Sequence, residues 1–372
     1  MILFCGVVTW LHYSGPPEVG IKGTAAVMNL SPPTQATTQA PPPAEFMASK
    51  SKPAPASPQK PAPTPLLAAK STAPLTPPAV TSKPLRTTKT ETPATKTLVP
   101  TSVVGGLRPA PDPALVENTN LGPLPQVSPD GRKAWQAYAR PFDSSDRRPR
   151  LAIIVNGLGL SGAATEAAIQ RLPGAVTLAF APYAKGLPQW IALARAAGHE
   201  VLLDLPMEPV NFPANDPGPH TLLTNLTTEQ NKVRLHWMLG RVTGYVGVVN
   251  KMGARFTTSE LHVRPVLKEL EHRGLLFVDS RSSLRSVAAS IADEVGLPKA
   301  INNRFIDAEA SRTAIDNRLK EMEEIAKTAG TAVGIGSPFP VTIDRLARWT
   351  KTLEGVGLAL APVSALVNIQ HK

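Results

Sequence analysis

The sequence has one cysteine, Cys5, and aromatic residues make up only 5% of its 372 positions. A single cysteine excludes a disulfide framework within the chain, and its place near the N-terminus leaves the remainder without thiolate chemistry. The histidines also lack a pattern, because no two stand at the i, i+4 spacing of a helical metal site. We therefore expect surface or packing roles for His199, His220, His236, His262 and His272.

The N-terminal run Met1–Tyr13 is apolar, but it is shorter than the roughly 20 residues that cross a bilayer as a helix. It also lacks the basic leader of a signal peptide. We interpret it as an anchor helix or signal core whose beginning is missing, with a stray hydrophobic terminus as the alternative. The first interpretation predicts an extracytoplasmic protein, in the periplasm or cell envelope, that its N-terminus attaches to the membrane.

Residues 14–133 are rich in Pro, Ala, Thr, Ser and Lys, and 27 of the 40 prolines lie at or before Pro149. Such a segment has too little apolar surface to offset the entropy of ordering, so it is predicted to be a disordered linker. It is also basic, because residues 1–100 hold nine Lys or Arg against three Glu. With almost no aromatic residues among these charges to stack on bases, a solvated spacer is favoured and no nucleic-acid partner is expected.

From Arg150 onward, short apolar runs alternate with amphipathic segments, a pattern typical of β/α units on a parallel sheet. Because the runs are almost continuously hydrophobic, we expect strands that are covered on both faces, and eight of them favour a (β/α) barrel over an open sheet. Ser161, Thr258 and Thr342 are the predicted helix N-caps, and Gly198, Gly274, Gly330 and Gly357 the predicted left-handed helix ends. The eight runs are LAIIV, VTLAFA, EVLLDL, YVGVV, LLFVD, RFID, TAVGIG and LALAPV.

Polar residues follow the carboxyl ends of these predicted strands. In a barrel, loops at that end build the active site, so these residues are expected to meet at one rim. They are Asn156 after the first strand, Asp204 and Glu208 at the third, Asn250, Lys251 and Arg255 at the fourth, Asp279 and Arg281 at the fifth, and Asp307 at the sixth.

Several phrases occur in a distinctive order between Leu151 and Val367, with AWQAYARPF as a lead-in at 134–142. They are AGHEVLLDLPMEP, PGPHTLLTNLTTEQN, GYVGVVNKMGARFT, RGLLFVDSRSS and APVSALV. In these phrases the chain resembles the divergent polysaccharide deacetylase family. The resemblance implies a deformed (β/α) barrel of the glycoside hydrolase/deacetylase type over residues 134–372. It also implies a divalent metal such as zinc, which activates water to remove an N-acetyl group from a glycan.

Several positions that would hold the metal depart from the pattern of this family. Asn156-Gly157 stands where an Asp-Asp pair is expected, and Asp204 where a histidine is expected. Lys251 replaces a histidine as well, and Gly336-Ser337-Pro338 replaces Gly-His-Pro. Because a protonated lysine is no ligand and repels a divalent cation, we expect no metal site here, and the protein is predicted to be degenerate in metal-dependent deacetylation.

Three roles remain open for the rim. In the first it is a cleft that binds cell-envelope glycan, with Asn156, Glu208, Asn250, Lys251, Arg255, Arg281 and Asp307 as the substrate-binding residues. In the second it is a rebuilt hydrolase site, where Asp204 or Asp279 is the general base and Lys251 or Arg255 stabilises an oxyanion. In the third, Asp279, Arg281 and Asp307 form ion pairs that only hold the loops of a non-catalytic envelope scaffold.

Two other enzyme classes are disfavoured. The glycines of 157–162 fit G-x-G-x-x-G on paper, but the next strand ends in Phe180-Ala181-Pro182 without the acidic residue that binds a ribose. No nucleotide is therefore expected. No serine stands in a G-x-S-x-G elbow, which makes a serine hydrolase of that type improbable.

Overall fold

The computed structural model describes residues 107–370. The predicted anchor at 1–13 and the linker up to residue 106 lie outside the described residues. No helix in the described part is both long and apolar enough to cross a bilayer.

A curled sheet of nine parallel strands forms the core. The strands are β3 Arg150–Leu158, β4 Thr177–Phe180, β5 Val201–Met207, β6 Gly247–Met252, β7 Leu276–Asp279, β8 Lys299–Ile301, β9 Arg304–Phe305, β10 Thr331–Gly336 and β11 Ala359–Leu360. Their order in the sheet is β8-β7-β6-β5-β4-β3-β10-β9, and β11 pairs with the start of β3. All residues of β4, β5, β7 and β10 are buried, as expected for strands covered on both faces.

The two ends of the sheet are consecutive pieces of chain. Asn302 and Asn303 alone separate β8 from β9. The Asn302 amide donates to the carbonyl oxygen of Asp279 at 2.9 Å, and the Asn303 amide donates to that of Val333 at 2.8 Å. The sheet therefore curls into a deformed barrel, which confirms the predicted fold class.

Helices follow most of the strands. They are α1 Ala134–Ala137, α2 Gly162–Arg171, α3 Leu187–Ala196, α4 Thr228–Leu239, α5 Glu260–His272, α6 Ala288–Val295, α7 Arg312–Ala329 and α8 Pro340–Trp349. Short 3-10 helices cover Pro113–Leu115, Phe256–Thr258, Glu354–Val356 and Val363–Leu366.

The predicted helix ends are correct in part. The Ser161 side chain caps α2, and the four predicted glycines all have positive φ, from 67° to 88°. The predictions for Thr258 and Thr342 are wrong: Ser259 precedes α5, and Thr342 lies inside α8. The Thr342 hydroxyl instead donates to the Asp307 carboxylate at 2.8 Å, a long-range contact that local sequence cannot reveal.

The folded part begins before residue 133, where the sequence predicted the linker to end. β1 Val116–Thr119 and β2 Gly122–Pro125 form an antiparallel hairpin, and Leu115 and Leu124 are 1% and 2% exposed. Proline and glycine inside this short hairpin hide the strand pattern, which explains the misplaced boundary.

Glu200, which immediately precedes β5, joins the two ends of the domain. Its buried carboxylate accepts hydrogen bonds from the Arg140 amide and the Ser364 amide, each at 3.1 Å, and from the Ser364 hydroxyl. Arg140 belongs to the phrase AWQAYARPF and Ser364 to APVSALV. These phrases therefore mark a structural clamp at the amino end of the barrel.

We expect Glu200→Ala to lower the free energy of unfolding by about 3 kcal/mol, because it leaves two buried amides and a hydroxyl without an acceptor. Urea denaturation of the full chain measures this loss. The matched control is Glu324→Ala, which removes an exposed carboxylate paired with Lys327 and is expected to cost under about 1 kcal/mol. Equal losses in the two variants would contradict the clamp.

Candidate functional site

Lys251 lies at the mouth of the barrel, near the end of β6, and its ammonium group points to the end of β3. Nζ donates to Asn156 Oδ1 at 3.3 Å. A cavity of about 220 Å³ opens beside it. Its lining residues are Asn156, Asn250, Lys251, Met252, Ser280, Ser282, Phe305, Asp307, Ile335, Gly336 and Ser337. The structure thus brings together residues from the ends of five predicted strands.

Asp204 lies on β5 with 3% of its surface exposed. Oδ2 accepts the Gly157 amide at 2.9 Å, whereas Oδ1 is buried without a hydrogen-bond partner in the described part of the chain. Burial raises the pKa of Asp204 to about 6, and the nearby charge of Lys251 and the Gly157 amide oppose that rise. Asp204 is therefore a perturbed acid behind the cavity lining.

Asp307 lines the same cavity as Lys251, and the two charges interact. Its Oδ2 accepts the Ser337 amide at 2.7 Å and the Thr342 hydroxyl at 2.8 Å. Burial raises its pKa, and these two donors and the charge of Lys251 lower it. The carboxyl group holds the loop between β10 and α8 and contributes negative potential to the ammonium.

Asp279 and Asn250 organise the next loop. The Asp279 carboxylate accepts the Arg281 amide and the Ser286 hydroxyl, each at 2.8 Å. Asn250 Oδ1 accepts the Ser280 amide, and its Nδ2 donates to the Met252 carbonyl oxygen, both at 2.7 Å. Both oxygens of Asp279 are occupied, and burial raises its pKa, so this residue shapes the loop.

Glu208 and Arg255 form an ion pair at 3.2 Å beside the mouth. Glu208 also accepts the Thr224 amide at 2.6 Å and hydroxyl at 2.7 Å. Half of the Arg255 side chain remains exposed, at 51%. This pair ties the loop after β5 to the loop after β6, and neither residue lines the 220 Å³ cavity.

The predicted ion pairs of Asp279 and Asp307 are absent from the described residues, where both carboxylates accept amides and hydroxyls instead. Arg281 is exposed and contributes its backbone amide to Asp279. Sequence analysis also missed Phe305, which lines the cavity with 38% of its surface exposed. Its position in the run RFID predicts a buried strand residue, so no local signal distinguishes it.

The donor set does not fit a divalent metal. No group of three or more His, Cys, Asp or Glu side chains within residues 107–370 is arranged to hold a metal ion. The charge of Lys251 also acts on both Asp204 and Asp307, so these two carboxyl groups already have a positive charge near them. A metal there would face electrostatic repulsion without histidine ligands to offset it.

Comparison with known proteins places this site in a family. The family model described as divergent polysaccharide deacetylase matches residues 153–367. An uncharacterized protein of Agrobacterium tumefaciens C58 has a similar crystal structure, with 39% identity and a TM-score of 0.65 over 66% of this chain and all of that one.

Two curated relatives are more distant and are likewise described as uncharacterized. The one from Haemophilus influenzae strain Rd is 29% identical over 52% of this chain and 68% of its own length. YibQ of Escherichia coli strain K12 is 25% identical over 59% of this chain and 67% of its own.

The raised pKa of Asp204 predicts a pH-dependent contribution to stability. Folding raises this pKa from 3.8 to about 6, so the stabilisation is fully present below pH 4 and is lost as the pH rises through 6. Asp204→Asn removes this titration and keeps an acceptor for the Gly157 amide. Its stability relative to wild type should increase by roughly 3 kcal/mol between pH 4 and pH 7, measured by urea unfolding. A difference in unfolding free energy between Asp204→Asn and wild type that stays constant with pH would contradict the raised pKa of Asp204.

Proposed function

The chain belongs to the divergent polysaccharide deacetylase family, and we propose that it binds cell-envelope glycan at the mouth of its barrel without metal-dependent N-deacetylation. The position of Lys251 is the observation that carries this proposal. Its Nζ donates to Asn156 Oδ1, and its charge acts on both Asp204 and Asp307. A tethered cation next to these groups disfavours metal binding, and without the metal the family chemistry has no activated water.

The cavity has the chemical character of a sugar site. Asn156, Ser280 and Ser282 offer amide and hydroxyl groups that can hydrogen-bond sugar hydroxyls. Phe305 adds a partly exposed aromatic face, on which the apolar face of a pyranose ring can pack. A pocket of few polar groups beside an apolar surface is typical of small-molecule recognition.

The proposed location is extracytoplasmic, in the periplasm or cell envelope. The apolar run Met1–Tyr13 and the basic, proline-rich segment 14–106 support this location, because they have the composition of an anchor followed by a spacer. Under this proposal the linker lets the barrel reach glycan while its N-terminus stays at the membrane.

A rebuilt hydrolase is the second candidate, and Asp204 is the observation that favours it. A buried carboxyl group with pKa near 6 and an unpartnered oxygen has the properties of a general base. Lys251 would then stabilise the oxyanion. Release of acetate from N-acetylated glycan, lost in Asp204→Asn, would favour this candidate over a binding protein.

The proposal predicts that the purified full chain contains no stoichiometric zinc, cobalt or nickel. Elemental analysis after dialysis against excess metal measures this directly. Lys251→His is the informative companion variant, because it removes the repelling charge and adds a ligand, and it should bind more zinc than wild type. One equivalent of metal in the wild-type protein would contradict the proposal.

We also expect saturable binding to soluble peptidoglycan fragments, measured by isothermal titration calorimetry with the full chain. Phe305→Ala should weaken the affinity roughly tenfold through loss of the stacking surface. Leu261→Ala is the matched control, because it truncates a 74% exposed apolar side chain on α5. Absence of binding to any glycan would favour the scaffold alternative instead.

A further inference from the structure

The loop 280–287, between β7 and α6, forms one wall of the cavity through Ser280 and Ser282. The buried carboxylate of Asp279 fixes the conformation of this loop, because it accepts the Arg281 amide and the Ser286 hydroxyl. The loop is fixed at its far end by the Val287 amide, which donates to the Thr257 carbonyl oxygen at 2.9 Å. The backbone of this wall is therefore preorganised.

Arg281 adopts a left-handed backbone conformation, with φ of 50°. Met252, which lines the same cavity at the end of the neighbouring strand, also has positive φ, 58°. Residues with a Cβ rarely adopt this conformation, and such strain is concentrated at functional sites. The backbone thus holds an unfavourable geometry on two adjacent sides of the cavity mouth.

The exposed charge on this wall is positive. Arg281 and Arg285 both lie on the surface, and no salt bridge within residues 107–370 includes either guanidinium. The neighbouring carboxylates are buried, with Asp279 1% and Asp307 9% exposed, and they are engaged by amides and hydroxyls. Two exposed arginines without a salt bridge therefore lie on the loop that supplies Ser280 and Ser282 to the cavity, and the Arg281 guanidinium acts on Asp279 only through its charge.

We propose that Arg281 and Arg285 bind carboxylate groups of the ligand, so that the cavity selects an acidic glycan over a neutral one. A guanidinium pairs with a carboxylate through two parallel hydrogen bonds, which gives both affinity and orientation. This inference rests on the proposed glycan-binding function and names the class of glycan. In this inference the cavity binds the sugar ring, and Arg281 and Arg285 on the loop 280–287 bind its acidic substituent.

Two disaccharides with the same neutral sugar test the inference. N-acetylglucosaminyl-N-acetylmuramic acid carries a carboxylate, whereas N,N′-diacetylchitobiose (here chitobiose) is neutral. Calorimetric titration of the full chain should give at least roughly tenfold tighter binding of the acidic disaccharide at low salt. Raising the ionic strength should weaken binding of the acidic ligand more than that of chitobiose.

Arg281→Asn separates a recognition role from a structural one. Asparagine tolerates the left-handed conformation better than arginine and keeps the amide that Asp279 binds. We expect an unchanged or higher melting temperature, roughly tenfold weaker binding of the acidic disaccharide and unchanged binding of chitobiose. Arg147→Asn, at an exposed arginine before the amino end of β3, is the matched control and should change neither affinity.

The outcomes distinguish this inference from the function on which it rests. Equal affinity for the two disaccharides would overturn the acidic selectivity and leave glycan binding intact. Failure to bind either disaccharide, with peptidoglycan fragments still bound, would also overturn it. Failure to bind any glycan would overturn both. A fall in melting temperature with equal weakening for both ligands would assign Arg281 a structural role and contradict the inference.

Discussion

The ammonium group of Lys251 acts on two buried carboxyl groups at the barrel mouth. It donates to Asn156, and its charge opposes the rise in pKa that burial causes at Asp204 and Asp307, so one cation balances part of the cost of burying both groups. A divalent metal would supply the same balance with more charge and with open coordination positions for water. A lysine supplies the charge alone. Under the proposed function, the site therefore has a cation but no group that activates water.

The buried carboxylates of the mouth have mostly structural partners. Asp279 accepts an amide and a hydroxyl from the loop after its own strand, and Asp307 accepts the Ser337 amide and the Thr342 hydroxyl, which follow β10. Glu208 holds Thr224 and Arg255. Burying a carboxylate is costly unless donors compensate it, and here each donor set fixes a loop. The cations, in contrast, face the solvent at Arg281 and Arg285. Acidic residues therefore shape the rim, while basic residues are available to a ligand.

Sequence patterns predicted most of the architecture, because buried parallel strands form apolar runs and glycines mark helix ends. They missed β8, since Lys299–Ile301 is too short and begins with a charge, and they missed the hairpin Val116–Pro125, where proline and glycine obscure the alternation. At the site, strand ends indicated which residues meet at the rim. They did not indicate that the Lys251 side chain points towards Asn156, that both oxygens of Asp279 accept hydrogen bonds from the following loop, or that Phe305 is partly exposed. Those properties depend on how the whole domain packs.

Under the proposed function, a lysine ammonium occupies the place of a metal ion. A crystal structure of the full chain, grown with millimolar zinc and measured at the zinc absorption edge, tests this placement. We expect no anomalous peak among Asn156, Asp204 and Asp307, with Lys251 Nζ ordered beside Asn156. A zinc peak coordinated by Asp204 and Asp307, with Lys251 turned outward, would contradict it.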